Sequence, residues 1–277
     1  LEGARDVMRQ RRGQKQEPST IYVREGVYSL RRMLELDERD SALVVRGYQK
    51  EKPVLSGCLP IHGFSLYTGK ILKADTWSQG FTNRYFRDLY FQGRRQTLAR
   101  YPNLDSENPY HGGWASVDAH QPESGKGKVR LNYKLADART WAHPEEGELC
   151  VFPHHNYWNR ITAIRSIDAA RRMIELAQGR WEDWEEIRPG DRYFAQNLLE
   201  ELDAPGEWYL DKRTGTLYFW PPEQLKDEPV YAPVLESLVG LSRGARDIVF
   251  RGFVFEGAEG VGVRMNDTER CLIEASV

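Results

Sequence analysis

The chain has 277 residues, of which 40% are hydrophobic and 29% are charged, and its formal net charge is -2. A chain of this length can bury a sizeable core, in one large β domain or in two ordinary ones. The balanced charge offers no basic stripe for nucleic acid, and no apolar run approaches the roughly 20 residues that span a bilayer, so we expect neither a nucleic-acid nor a membrane partner.

The chain opens with a predicted helix followed by short β runs. LEGARDVMRQRRG places Ala4, Val7 and Met8 on one helical face, which is typical of a short amphipathic helix. IYVREGVYSL alternates apolar and polar residues around Gly26 and predicts strand, turn, strand, and SALVVRGY and KPVLSG predict further short strands. This order indicates the start of an all-β solenoid, sandwich or barrel.

The middle of the chain, from residue 63 to about residue 222, predicts strands interrupted by irregular loops. FRDLYFQGRRQTLARYPN predicts a hairpin with QGRR as its turn and a second strand that ends at Pro102. Residues 105–128 have little periodicity and predict a long surface loop. GELCVFPHHNYWNRITAIRSIDAARRMIELA predicts three strands, with IDAARR as the turn before the last one.

The segment GEWYLDKRTGTLYFWPP predicts an aromatic hairpin with DKRTG as its turn. Trp208 and Leu210 alternate with Tyr209 on the first strand, and the second strand alternates in the same way. Neighbours along a strand point to opposite faces, so these aromatic residues cannot form one continuous platform for a sugar. The pattern favours cross-strand packing and a structural role.

The last 50 residues contain a sequence repeat. ARDIVFRGFVFEG and ERCLIEASV can be overlaid so that Ile248 falls on Cys271 and Phe250 falls on Ile273, a spacing of about 23 residues. Short strands at this spacing, separated by polar turns such as NDTE, are typical of parallel β-helix coils. An antiparallel meander with a chance match is the alternative.

Several of these segments resemble secreted right-handed parallel β-helix proteins related to glycoside hydrolase family 141. LEGARDVMRQ resembles their N-terminal helix, GRRQTLARYPN their strand with an Arg-rich turn, and GEWYLDKRTGTLYFWPP their most recognisable hairpin. DIVFRGFVFEGAEGVGV is similar to their first full coil. The stretch LRRMLELDERDSAL departs from the pattern, because it is shorter and less rich in proline.

The resemblance implies an all-β chain with three parts. Residues 1–62 would form a short capping helix and the start of a right-handed parallel β-helix, residues 63–227 an inserted antiparallel β domain (a barrel or a sandwich), and residues 228–277 the first coils. We interpret both ends as cuts through a longer protein, since the chain begins without Met or a signal peptide and ends at EASV.

The resemblance also implies a function. The parent protein would be an extracellular or periplasmic glycoside hydrolase acting on plant or microbial polysaccharide, with activities on fucosides and xylans. Its catalytic acids are expected beyond residue 277, so this chain alone would be inactive. A non-catalytic carbohydrate-binding or adhesive β protein and a polysaccharide lyase are the alternatives.

Acidic residues of the coil region are candidates for catalytic groups, because glycoside hydrolysis needs two carboxyl groups that flank the scissile bond. They are Glu256, Asp267, Glu269 and Glu274. The simpler interpretation is that they are solvated, and Asp267 and Glu269 lie in the predicted NDTE turn.

The segment FPHHNYWNR, residues 152–160, is the best local candidate for substrate binding. Its hydrogen-bonding groups suit sugar hydroxyls, and its aromatic rings suit the C–H face of a sugar. The candidate residues are His154, His155, Tyr157, Trp158 and Arg160, together with Asn156. The alternative is that the aromatic residues fill the core of a small β domain while the two histidines sit in its loop.

Two further sets of residues are candidates for carbohydrate contacts. Arg94, Arg95 and Arg100 could hold the carboxylate of a uronic acid, or could simply keep an exposed strand edge soluble. Trp181 and Trp184 could face a sugar together, or could pack one ring inward from a helical turn.

The sequence indicates neither a metal nor a cofactor. Cys58, Cys150 and Cys271 are widely spaced with no CxxC pair, which excludes a disulfide framework and a standard zinc site. No P-loop, GxGxxG after a strand, GxSxG or HExxH motif occurs, so nucleotide binding and the common serine and zinc hydrolase mechanisms have no support. Oligosaccharide or polysaccharide is the partner that the resemblance implies.

Overall fold

The computed structural model describes residues 1–12, 17–82, 85–119, 129–177, 185–226 and 228–277. The described residues are mostly β, with the helix α1 (Glu2–Arg12) at the start of the chain. No helix among them is long and apolar enough to cross a membrane.

The strands are short, and they are, in chain order, β1 (Ser19–Val23), β2 (Val27–Ser29), β3 (Leu34–Leu36), β4 (Leu43–Gly47), β5 (Val54–Ser56), β6 (Cys58–Ile61), β7 (Ser65–Thr68), β8 (Ile71–Asp75), β9 (Tyr90–Phe91), β10 (Arg94–Arg95), β11 (Thr97–Leu98), β12 (Arg100–Tyr101), β13 (Ala115–Ser116), β14 (Arg130–Asn132), β15 (Glu148–Phe152), β16 (Arg160–Asp168), β17 (Met173–Leu176), β18 (Arg192–Gln196), β19 (Glu207–Asp211), β20 (Thr216–Phe219), β21 (Val230–Pro233), β22 (Leu235–Leu241), β23 (Ala245–Arg246), β24 (Ile248–Arg251), β25 (Val254–Glu256), β26 (Ala258–Met265), β27 (Thr268–Glu269) and β28 (Leu272–Glu274).

The chain divides into two compact units. Unit 1 consists of Leu1–Ile61, Phe86–Tyr90 and Val230–Val277, and unit 2 consists of His62–Tyr85 and Phe91–Pro229. Each unit has its own buried core. The assignment of these units to a β-helix and an inserted domain stays a prediction.

Parallel pairing dominates unit 1. Its strands form the parallel sheets β1-β4-β24-β28, β2-β5-β25 and β26-β22-β3 and the parallel pair β23-β27, while β6 and β21 pair antiparallel. Strands β1 and β2 belong to different sheets, although they follow one another in the chain. Phe250 lies beside Ile273 and also beside Val45, so the predicted overlay of the two repeats is confirmed.

The core of unit 1 lies between these sheets. Leu43, Leu55, Leu238 and Phe250 are fully buried in it. The helix α1 contributes Met8 to the same core, whereas Ala4 and Val7, on the same predicted apolar face, are exposed. Its basic last turn suits the negative end of the helix dipole.

Unit 2 is largely antiparallel. Its strands form the sheet β11-β19-β20-β8-β7 and the sheet β12-β18-β15-β16-β17-β14, with β13 also paired to β18. The three predicted strands of the segment 147–177 are β15, β16 and β17, which pair as predicted around the turn at residues 169–172.

The strands of the predicted aromatic hairpin, β19 and β20, pair antiparallel. Trp208 lies opposite Phe219, and Tyr209 lies opposite Tyr218. Trp208 and Phe219 are fully buried on one face, and Tyr209 is buried on the other. The two faces therefore serve packing, as the alternation predicts.

Two expectations were wrong in part. The predicted hairpin forms, because β9 and β10 are neighbours in one sheet, but its second strand is broken: β11 pairs with β19 in one sheet and β12 pairs with β18 in another. The predicted surface loop 105–128 contains strand β13 and the fully buried Val117, while its residues 120–128 lie outside the described part of the chain. A strand of two residues is too short to show a periodicity in the sequence, so β13 was not predicted.

Candidate functional site

The loop between β15 and β16 carries the predicted binding residues. Tyr157 is 75% exposed and Trp158 is 50% exposed, so neither fills the core as the alternative interpretation required. His154 and Asn156 have positive φ angles of 58° and 59°. This backbone turns sharply after the buried end of β15 and directs the two residues toward the start of β18.

His154 and Asn156 lie in an open groove of about 520 Å³ in unit 2. The groove combines aromatic rings, hydrogen-bonding groups and charges of both signs. Its lining residues are Tyr110, His111, Trp114, Ala115, Ser116, His154, Asn156, Pro189, Gly190, Asp191 and Arg192.

A carboxylate holds the loop in place at one side of the groove. Asp191 accepts hydrogen bonds from the backbone N–H groups of His154, at 3.0 Å, and Arg188, at 2.7 Å. One carboxylate oxygen thus ties the β15–β16 loop to the turn before β18. We infer that Asp191 positions the loop, since hydrogen bonds to a charged acceptor are the stronger kind.

An arginine stacked on aromatic rings forms the wall of the groove. The guanidinium carbon of Arg192 lies 4.5 Å from the ring centre of Trp114 and 4.3 Å from that of Phe152. Arg192 also donates a hydrogen bond of 2.9 Å to the carbonyl oxygen of Tyr110. These contacts fix the planar guanidinium, so its remaining N–H groups keep a defined direction.

Two buried polar atoms of groove residues have no hydrogen-bond partner among the described residues. They are Nδ1 of His154 and Nε of Arg192. Buried polar atoms are nearly always paired with protein or water, and an unpaired one needs an explanation.

The surroundings of His154 favour the neutral form of its ring. Desolvation of the ring and the nearby charge of Arg188 hold the pKa of His154 below its usual value. A neutral imidazole offers one donor and one acceptor, which matches the two roles of a sugar hydroxyl.

The other predicted binding residues lie outside the lining of the groove. Arg160 forms an ion pair with the buried Glu185, with 3.4 Å between the charged atoms. The ring of His155 lies 3.7 Å from that of His154 and 6.1 Å from that of Tyr157. His155, Tyr157 and Trp158 thus form the exposed outer part of the loop, next to the groove.

The remaining candidates serve structural contacts where they are described. Glu274 pairs with Arg251 through a short contact, Glu269 pairs with Arg270, and Asp267 accepts a 3.1 Å hydrogen bond from the backbone N–H of Gly244.

The interpretation of the arginine cluster as a solvated edge holds only for part of it. Arg94 and Arg95 are exposed, but Arg100 is buried, with its guanidinium carbon 3.7 Å from the ring centre of Phe194. It is buried because β12 lies in the larger sheet of unit 2. Trp181 and Trp184 lie outside the described residues.

The sequence interpretation missed the far side of the groove. Trp114 and Tyr110 fall in the segment that was expected to be a loop, and Asp191 and Arg192 fall in PGDRYF at the start of β18. The one available signal was that PGDR ends a turn just before an aromatic strand. The described part of the chain holds no group of three or more His, Cys, Asp or Glu side chains that could bind a metal ion.

The mostly β fold of this chain is shared with a solved structure. A solved structure named "Glycoside hydrolase" superposes on 93% of this chain with a TM-score of 0.76 and 21% identity. At this identity the likeness shows a shared fold alone. The chain spans 47% of that structure.

A second solved structure, "The complex structure of XylC with xylose", covers 87% of this chain and 30% of its own, with 13% identity. Its TM-score of 0.37 is too low to carry an argument. No family model matches the chain, and no curated protein matches it.

Proposed function

We propose that this chain is the N-terminal part of a secreted carbohydrate-active enzyme of the glycoside hydrolase type. The shared fold with a solved glycoside hydrolase, of which the chain spans about half, supports this proposal. The sequence motifs that resemble family 141 point in the same direction. The catalytic acids would lie in the part of the parent protein that follows residue 277.

The parallel sheets of unit 1 would be the first coils of a right-handed parallel β-helix. Two observations support this interpretation. The first is that three sheets are all parallel: β1-β4-β24-β28, β2-β5-β25 and β26-β22-β3. In addition, β24 and β28 pair at the offset of the sequence repeat, with Phe250 beside Ile273. Stacked coils of constant length produce such a register.

The groove of unit 2 would bind the polysaccharide chain. The observation that carries this assignment is the open groove itself, in which His154, Asp191 and Arg192 lie beside the ring of Trp114. Desolvated sugar hydroxyls need hydrogen-bonding partners, and an aromatic ring packs against the C–H face of a sugar. The mixed charge of the groove suits a neutral sugar.

A binding experiment with a matched pair of variants tests the groove. The chain is titrated with a neutral xylo-oligosaccharide by isothermal titration calorimetry, and we expect His154→Ala to weaken binding about five- to tenfold, since one hydrogen bond contributes about 1 kcal/mol. His143→Ala is the control, because this half-exposed histidine of unit 2 pairs with Glu145 and does not line the groove. Equal affinities of the two variants would contradict the proposal.

A further inference from the structure

A second surface, in unit 1, combines exposed aromatic rings with arginines. Tyr22 on β1 lies beside Arg46 on β4, and Arg46 lies beside Arg251 on β24. Arg24 and Tyr48 follow directly after β1 and β4. We call these five residues the Tyr-Arg surface. The alternating residues Ile21, Val45 and Phe250 face the core, so the Tyr-Arg surface faces outward.

The two tyrosines expose large ring areas. Tyr22 is 58% exposed and Tyr48 is 39% exposed, and their ring centres are 6.1 Å apart at an angle of 81°. The guanidinium carbon of Arg24 lies 5.1 Å from the ring centre of Tyr48, and that of Arg46 lies 6.0 Å from that of Tyr22. A guanidinium thus lies over each ring, and more than half of Tyr22 stays exposed.

The positive charges of this surface outnumber the carboxylates that pair with them. Arg24 is held by Glu51, with contacts of 3.0 Å and 2.9 Å, and Arg251 is held by Glu274. Arg46 has no ion pair with a described residue, and its buried Nε has no hydrogen-bond partner among them. The Tyr-Arg surface therefore carries one uncompensated positive charge.

The position of that charge is unfavourable without a ligand. Arg46 and Arg251 are direct neighbours on paired strands, where like charges destabilise a sheet. Glu274, which pairs with Arg251, lies on the far side of Arg251. An anion bound at the terminal N–H groups of Arg46 would relieve this repulsion.

We propose that the Tyr-Arg surface binds an acidic sugar, with the carboxylate of a uronic acid on the Arg46 guanidinium and the C–H face of its ring on Tyr22. A guanidinium matches a carboxylate in geometry and charge, and a tyrosine ring matches the apolar face of a pyranose. This site is separate from the groove of unit 2 and does not depend on it.

The test compares an acidic sugar with its uncharged derivative. The whole chain is titrated with a galacturonic acid trisaccharide and with the methyl ester of the same trisaccharide, which keeps the rings and removes the charge. We expect the acid to bind about tenfold or more tightly than the ester, and its binding to weaken as salt screens the charge. Equal affinities for the acid and the ester would overturn the proposal.

Variants locate the site. Arg46→Gln should weaken binding of the acid about ten- to a hundredfold, since a charge-assisted contact is lost. Arg264→Gln is the matched control, because Arg264 is an arginine of unit 1 that pairs with Glu236 on another sheet. Acid binding that survives in Arg46→Gln, or that is lost equally in both variants, would overturn the assignment.

A second variant distinguishes a loss of binding from a loss of folding. Tyr22→Ala removes a largely exposed ring, so it should leave the thermal unfolding curve unchanged while binding of the acid falls. His154→Ala should leave binding of the acid unchanged, because it belongs to the groove. A loss of neutral-sugar binding alone would therefore bear on the groove, and a loss of acid binding alone on the Tyr-Arg surface.

Discussion

Replacing Trp208 by alanine should destabilise unit 2 strongly. Trp208 is fully buried on β19, where it lies opposite the fully buried Phe219 and beside Leu98 of β11. Truncation of a buried tryptophan to alanine leaves a cavity and costs about 3–5 kcal/mol. We therefore expect a loss of about 4 kcal/mol in the free energy of unfolding.

The expected change in melting temperature follows from the size of the unit. For 150–250 residues each kcal/mol lowers Tm by about 2–4 °C, which gives a decrease of roughly 8–16 °C. Thermal unfolding followed by circular dichroism measures it. Trp158→Ala is the matched control: the substitution is the same, but Trp158 is 50% exposed, so less than about 1 kcal/mol should be lost.

The result that would refute this reasoning concerns both stability and binding. If Trp208→Ala unfolded at the wild-type temperature but lost affinity for sugar, the hairpin would be a binding platform and not a packing element. Equal decreases in Tm for Trp208→Ala and Trp158→Ala would also refute it, because burial would then not decide the effect.

Two further predictions concern charged groups. Arg9→Ala should cost about 3–5 kcal/mol in urea unfolding, because the fully buried carboxylate of Asp40 loses its partner; Arg11→Ala, at an exposed position of the same helix turn, is the control, and equal losses in the two variants would contradict the argument. Burial raises the pKa of Glu207 from 4.5 to about 7, so the folded state holds its proton longer than the unfolded state does. Stability should therefore be highest below pH 4.5 as far as this group is concerned and should fall by up to about 3 kcal/mol as pH rises toward 7. The difference in unfolding free energy between the wild type and Glu207→Gln should change with pH over this range, and a constant difference would show that Glu207 does not titrate there.

Local patterns predicted much of the fold. The apolar stripe of LEGARDVMRQRR predicted α1, and the alternation around DKRTG predicted the hairpin of β19 and β20. The spacing between Phe250 and Ile273 predicted the alignment of β24 with β28. These features were accessible because each rests on a period within one element or on a repeat between two similar ones.

The candidate site was only partly predictable. His154 and Asn156 were recognised because hydrogen-bonding and aromatic residues cluster in one segment. Trp114 and Arg192 were not, because they come from segments far apart in the chain that meet only when β13 pairs with β18. The pattern of residues within one segment does not show which distant strand that segment pairs with.

The sequence by itself determined the helix α1, the aromatic hairpin, and the repeat that aligns β24 with β28. These are consequences of side-chain alternation and of burial within one element. The tertiary structure alone decided that Arg192 stacks on Trp114 beside His154, and that Arg46 lies next to Arg251 with one carboxylate too few. The physical reason is that the direction of a side chain depends on its own strand. Its neighbours depend on the pairing of strands that are far apart in the chain.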